Sequence, residues 1–245
     1  MRTATGKSVR LHELAYACRL YAAFTDFDRS ITEFRNVVGP ALDLGTEIHR
    51  HALLRWLNSW GCRQFEKKDH PLASDELKEW AGRYMVRLPP PHQGLAELSE
   101  DALDEAAEAY GDLKGRRASA RDRGSRSHPV TFGATGAAKG LYAFRPEALP
   151  PWDDPIRRHF CYDGSLGSYR QFLSSVQDQV RVLVQEADQF GIPASEIPKI
   201  VGRGDSSLPK LVDEYFWVTI TKNCAPPSKE EFECWLRWAR GHAAH

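Results

Sequence analysis

The chain has 245 residues, 42% apolar and 27% charged, which excludes disordered and fibrous classes and allows one large core or two small ones. Lysine and arginine number 33 against 33 aspartate and glutamate, so the chain as a whole is not a polycation. Its longest apolar runs fall far short of the ~20 residues that span a bilayer, and Arg2, Thr3 and Lys7 leave no room for a signal-peptide core. A soluble, cytoplasmic monomer without a membrane partner is the expectation.

In chain order, Leu11, Leu14, Ala15, Cys18 and Ala22 keep helical spacing, and a second helix is expected over Ile31 to Val38. Thr46 is placed to cap a helix through Leu53, Leu54, Trp56 and Leu57 that stops at Gly61. Ser74 opens the next, through Leu77, Trp80 and Tyr84, before Pro89, Pro90 and Pro91 block continuation. Ser99 to Leu113 reads as a surface helix with an acidic face. A short helix from near Gly136 ends before Pro146. Ser168 with Gln171 forms a capping box for a long helix closed by Gly191. Pro209 sits in the first turn of a helix with Leu211, Val212, Tyr215 and Phe216. Ser228 with Glu231 caps a last helix with Phe232, Trp235, Leu236 and Trp238. The expected fold is all-α, about nine or ten helices with at most a minor strand pair and no fixed repeat.

Five cysteines, odd in number and never spaced C-x-x-C, read as reduced and mostly buried thiols. His49 and His51, two apart, diverge on a helix, and no metal-ligand motif appears. Neither a metal nor a cofactor is expected.

The balanced charge hides an asymmetry. Glu97, Glu100, Asp101, Asp104, Glu105, Glu108 and Asp112 precede Lys114, Arg116, Arg117, Arg121, Arg123 and Arg126, which only Asp122 opposes. Such a basic run is either a solvated loop or an anion-binding arm.

The segment from Thr131 to Phe160 carries the chemistry. Gly133 and Gly136 let the backbone approach a ligand, and the helix N-terminus at 135–138 offers free N–H groups suited to a phosphate; an ordinary helix–helix turn has the same look. Further on, Asp153 and Asp154 precede a helix starting at Pro155. With proline in the first turn, Asp154 is the better cap, which leaves Asp153 free.

Read together, this segment resembles the helix-hairpin-helix DNA glycosylase superfamily, in which a Gly-rich hairpin grips a DNA phosphate and a later Asp is the catalytic carboxylate. Asp153, in Trp152-Asp-Asp-Pro-Ile-Arg-Arg158, matches that Asp. The sequence departs from the family in two places: Gly133-Ala-Thr-Gly136 replaces Gly-x-Gly, and Pro155 stands in the place of a His. In 8-oxoguanine glycosylases of this superfamily an Asn at a helix end and an Arg five residues on enter the duplex vacated by the target base. Asn58 and Arg63 have that offset.

The resemblance implies a two-lobed glycosylase-like fold in one helical unit, the lobes running over about 45–185 and 1–44 plus 186–245, with a helix-hairpin-helix-type element. It implies double-stranded DNA as partner, contacted by Asn58, Arg63, Gly133, Thr135, Gly136, Arg116, Arg117, Arg121 and Arg157, and base flipping ahead of N-glycosidic cleavage. No cysteine pattern of the iron–sulfur subset is present. Lys139 is the second catalytic candidate, because bifunctional members use a hairpin lysine as an amine nucleophile. It lies 14 residues before Asp153, whereas the family's lysine matches Ala134 or Thr135 here. That spacing favours a monofunctional enzyme with Lys139 on a phosphate. A weaker similarity is to bacterial antiviral glycosylases that remove glucosylated hydroxymethylcytosine from phage DNA. Two rival functions are a DNA-binding module without activity and a helical protein-interaction component.

Overall fold

The computed structural model describes the backbone of residues 8–123 and 126–242, and their side chains except at 121–123, 126, 127, 239 and 242. Two thirds of the chain is helical, 66%, and among the described residues the only sheet has two strands, as an all-α fold requires. The helices are α1 (Leu11–Phe24), α2 (Phe27–Val38), α3 (Glu47–Ser59), α4 (His70–Tyr84), α5 (Glu100–Gly115), α6 (Gly133–Phe144), α7 (Asp154–His159), α8 (Leu166–Asp188), α9 (Ile197–Ile200), α10 (Leu208–Phe216) and α11 (Lys229–His242). A single π-type turn, Trp217–Thr221, prolongs α10.

Several helix ends follow local chemistry. Thr46 has the extended backbone of an N-cap, and Gly61 just past α3 takes φ +84°, where a side chain would be strained. Ser99 Oγ accepts from the Ala102 N–H to cap α5. The Ser228–Glu231 box forms reciprocally ahead of α11, Glu231 N–H to Ser228 Oγ and Ser228 N–H to Glu231 Oε2.

Other ends depart from the sequence reading. Ser165, not Ser168, caps α8, its Oγ accepting from the Ser168 N–H. Ser74 opens no helix. It lies inside α4, its Oγ accepting from Arg50 Nε at 2.7 Å, while Arg50 Nη1 donates to the carbonyls of Leu44 and Gly45. A buried guanidinium needs these partners, and that tertiary demand overrides Ser74's capping preference.

The basic stretch is the larger departure. It is no loop but an antiparallel hairpin, β1 (Arg117–Arg123) and β2 (Arg126–Thr131), which joins α5 to α6 and packs on α4. Small residues make this possible. Ala118 and Ser119 are buried, and Asp69 accepts the Ala120 N–H. Charges at the base of the hairpin are matched by acids on α4 and α5, so the strands can lie against the domain.

The core is aromatic and continuous. Trp152 stacks on Phe172 with centroids 5.1 Å apart, Tyr110 on Tyr169 at 4.0 Å, and Trp80 on Phe144 at 5.2 Å. It runs from Val9 and Leu14 through Trp56 and Trp152 to Phe216, so the stretches 45–185 and 1–44 plus 186–245 share one apolar interior. In it α1 packs on α10 and α8, and α2 on α3. Among the described residues no helix is long and apolar enough to cross a membrane.

Candidate active site

A small recess opens where α1, α2, the end of α3, α6, the turn into α7, and α10 meet. Its walls are Tyr21, Phe27, Trp60 and Trp217; Lys139, Asp153, Lys210 and Asp213 supply its charges. Trp60, Lys139 and Asp153 belong to the stretch 45–185, and the other five to the two ends of the chain.

Asp153 and Lys139 are brought together. Lys139 Nζ sits 2.8 Å from Asp153 Oδ1 and donates to the Trp60 carbonyl at 2.7 Å. The lysine is only 6% exposed, and its ammonium lies 5.3 Å from the Trp60 ring centroid. The spacing of Lys139 along the chain therefore does not keep it from the carboxylate. After α6 the chain turns back through Pro146, Pro150 and Pro151, and Asp153 lands beside the helix it has just left.

Asp153 occupies the N-cap position of α7, with extended backbone and no side-chain cap bond. Asp154, expected as the cap, is instead the first helical residue. It pairs with Arg157 and with Arg158, the latter at 2.7 Å. The order of the two aspartates is thus shifted by one position. The consequence for Asp153 stands nonetheless, because its carboxylate faces Lys139 and not the helix.

A second ion pair backs the first. Lys210 Nζ lies 2.9 Å from Asp213 Oδ2, 3.5 Å from Glu214 Oε1 and 4.4 Å from the Tyr21 ring centroid. Burial opposes the charge on Lys210, but Asp213, Tyr21 and Glu214 outweigh it and hold the pKa well above the usual lysine value. Burial pushes the Asp213 carboxyl up to about 6; Lys210 opposes the rise and Asp153 adds to it. Arg203 closes the network, bonding Glu214 at 2.8 and 2.9 Å and Asp28 at 2.5 and 2.8 Å. Cys62 lies close behind the Lys139–Asp153 pair, and burial lifts its thiol to about 11, which removes it as a nucleophile.

The recess holds about 10 Å³, the room of roughly one water molecule. A base enters only if the walls part. Beyond Lys210 a second recess of about 130 Å³ is lined by Thr32, Arg35, Tyr142, Asp205 and Ser206. A larger cavity, about 670 Å³ and mainly apolar, lies farther off between α2 and the end of α6 and contains none of the charged residues of the site.

The remaining candidate residues are placed as follows. Asn58 Nδ2 donates to the Phe65 carbonyl, and Arg63 is exposed, so the two flank the turn whose Trp60 carbonyl holds Lys139. Gly133 takes φ +65° with open space around it, and Thr135 is half-buried. Gly136 is instead covered by protein, for a Cβ there would meet Gln64 Nε2 at 2.6 Å and Phe65 at 3.4 Å. Helix α6 begins at Gly133, three residues earlier than expected, so free N–H groups fall at 133–135 and not at 135–138.

Arg116 is bound to Asp112, Glu76 and Glu79, and Arg117 to Glu76 at 2.8 Å. Arg157 is tied to Asp154 and lies 6.0 Å from the Trp152 ring centroid. Arg121 is opposite His128 in the hairpin, but its side chain, like those of Arg123 and Arg126, falls outside the described residues. Trp152, Tyr162 and Tyr169 fill core and line no recess named above. Among the described residues no cluster of His, Cys, Asp and Glu could hold a metal ion.

Gly136→Ala should destabilise the protein by about 1 kcal/mol, because the Gln64 amide has to swing off the Phe132 carbonyl it now bonds at 2.6 Å. Urea unfolding reads this directly, and an unchanged midpoint would mean that Gln64 relocates without loss.

Lys210, Asp213, Tyr21, Phe27 and Trp217 escaped the sequence reading. The available signal was Lys210-Leu-Val-Asp-Glu214, which places charges among the apolar positions of a helix. Comparison with family models, with curated proteins and with solved structures finds no match to this chain.

Proposed function

We propose that this protein is a DNA glycosylase that hydrolyses the N-glycosidic bond of a modified base in double-stranded DNA and leaves an abasic site. The reading is carried by one observation, Asp153 uncapped and 2.8 Å from Lys139 in a recess walled by aromatic rings. Breaking the C1′–N bond builds positive charge on the sugar, and a fixed carboxylate at C1′ stabilises it electrostatically. Asp153 also accepts a proton from the attacking water. Lys139, held by the Trp60 carbonyl, orients Asp153. The aromatic walls offer π-faces to a flipped base.

Supporting DNA contacts are Asn58 and Arg63 beside the turn at Trp60 and the open N–H groups at Gly133 and Thr135. Arg116, Arg117 and Arg157 contribute less in this reading than their charge suggests, since acids already bind them. Binding to duplex DNA is expected to weaken as salt rises. Truncating Arg121 and Arg123 should flatten the slope; truncating Arg116 should affect stability instead. An unchanged slope in the first pair removes the hairpin from the interface.

The polar recess beyond Lys210 supports a base with a hydroxyl-rich substituent. Phage DNA with glucosylated hydroxymethylcytosine is the first substrate to try, for an antiviral role, with uracil, 8-oxoguanine and alkylpurine duplexes as controls. Release of an ordinary base with none from phage DNA would refute the antiviral part and keep the glycosylase.

The same 2.8 Å pair favours a second reading, in which Lys139 gives up a proton, attacks C1′ and nicks the strand. Borohydride decides between them. Hydrolysis leaves nothing to trap, whereas a covalent complex lost on Lys139→Gln would establish the lysine as nucleophile.

A further inference from the structure

Asp213 shares the recess with Asp153, and its carboxylate accepts from Lys210 Nζ at 2.9 Å. The charges around it are unequal. Lys139, Lys210 and Arg203 face Asp153, Asp213, Glu214 and Asp28. The groups that face Asp213 come from several sides: Tyr21 from α1, Lys139 from α6, Asp153 from the turn into α7, and Lys210, shared with Glu214, from its own helix. Helix α8 adds Glu186, which Arg10 already neutralises, and Arg35 lies at the exposed rim and acts on Asp28. Asp213 and Glu214 are the buried carboxylates, 7% and 0% exposed, and both lean on the one ammonium of Lys210, at 2.9 and 3.5 Å, which leaves room for a bound proton on Asp213.

We infer that Asp213 is a second catalytic carboxylate, the general acid that protonates the departing base while Asp153 serves the sugar. This rests on the glycosylase reading and deepens it. As the C1′–N bond breaks, its electron pair passes to the base and Asp213 delivers its proton to a ring nitrogen or carbonyl oxygen of that base. Water adds its oxygen to C1′, and its proton goes to Asp153. The products are the neutral base and the abasic sugar hydroxyl; Asp153 then loses a proton to solvent and Asp213 regains one. A carboxylate buried beside Lys210 and a second one open to the recess beside Lys139 can divide the acid and base roles. Burial puts the Asp213 value at about 6, so about half of the protein carries the proton at pH 6 and about a tenth at pH 7, close enough to the working range for an acid.

The substrate class follows. A site with its own acid suits neutral bases, such as cytosine derivatives, that leave poorly without protonation. A cationic alkylpurine needs no such proton.

The test is a single-turnover pH profile of the full chain on two duplexes, one with glucosylated hydroxymethylcytosine and one with 7-methylguanine. Wild-type release of the neutral base should fall as pH rises through about 6, because only protonated Asp213 donates. Asp213→Asn should slow that release by about 10²-fold or more and abolish the pH limb, with little change on 7-methylguanine. Asp213→Glu should restore much of the rate with a shifted limb, which a merely structural role would not produce. Equal slowing at every pH and on both duplexes, or an unmoved limb in Asp213→Asn, overturns the inference. Loss of all release in Asp153→Asn with the pattern above intact upholds both claims. No release by the wild type from these two duplexes overturns the inference; no release from uracil and 8-oxoguanine duplexes as well sinks the glycosylase reading with it.

Discussion

Asp153→Asn should cut base release by at least about 10²-fold while leaving duplex affinity nearly unchanged. The amide fills the same volume and keeps a hydrogen-bonding oxygen toward Lys139 Nζ, now 2.8 Å from the carboxylate, but it carries no charge for the sugar cation. Asp154→Asn is the internal control. Asp154 points to Arg157 and Arg158 on the outer side of α7, so its loss should touch the helix and not the rate. Single-turnover release and filter binding on the same preparations measure the two effects. If Asp154→Asn is the slow variant, the two aspartates have exchanged roles. If neither is slow, Asp153 does no chemistry on this bond.

The second large effect concerns stability. Arg203 holds α2 to α10 by bonding Asp28 and Glu214 together, and Glu214 is 0% exposed. Burial works against the Arg203 charge, but Asp28 and Glu214 raise its pKa above the ordinary value, so it is charged throughout the accessible pH range. Arg203→Met removes one member of a buried pair and leaves Lys210, at 3.5 Å, as the cation beside Glu214. The cost of such an uncompensated charge is about 3–5 kcal/mol. In a chain of this size that corresponds to roughly 10 °C in melting temperature. Adding Glu214→Met should recover a large part of the loss, since a buried ion pair replaced on both sides by apolar groups is near neutral. A single variant that melts with the wild type would mean that Arg203 merely decorates the surface. The outcome bears on the site as well, because Lys210 and Asp213 draw their geometry from this network.

The helical fold was legible in the sequence because its causes are local. Spacing of Leu53, Leu54, Trp56 and Leu57, the stop at Gly61 and the Ser228–Glu231 box each depend on residues within a few positions, and each appears where the pattern puts it. The hairpin at 117–131 was not legible, because its strands alternate charge with alanine and serine and owe their burial to Glu76 and Asp69 far upstream. Ser74 and the cap of α8 were misread for a related reason, since a serine's best partner is whichever buried donor the fold presents. Asp153 stood out as a carboxylate beside a proline-headed helix, and that much was local. Its pairing with Lys139, 14 residues back, was decided by the proline-bounded turn that folds the chain onto α6. Lys210 and Asp213 pair locally, one turn apart on α10, but the recess they share with Asp153 forms only where α10 closes on α1 and Lys210 meets Tyr21, 189 positions away. Only the packed tertiary structure sets that distance.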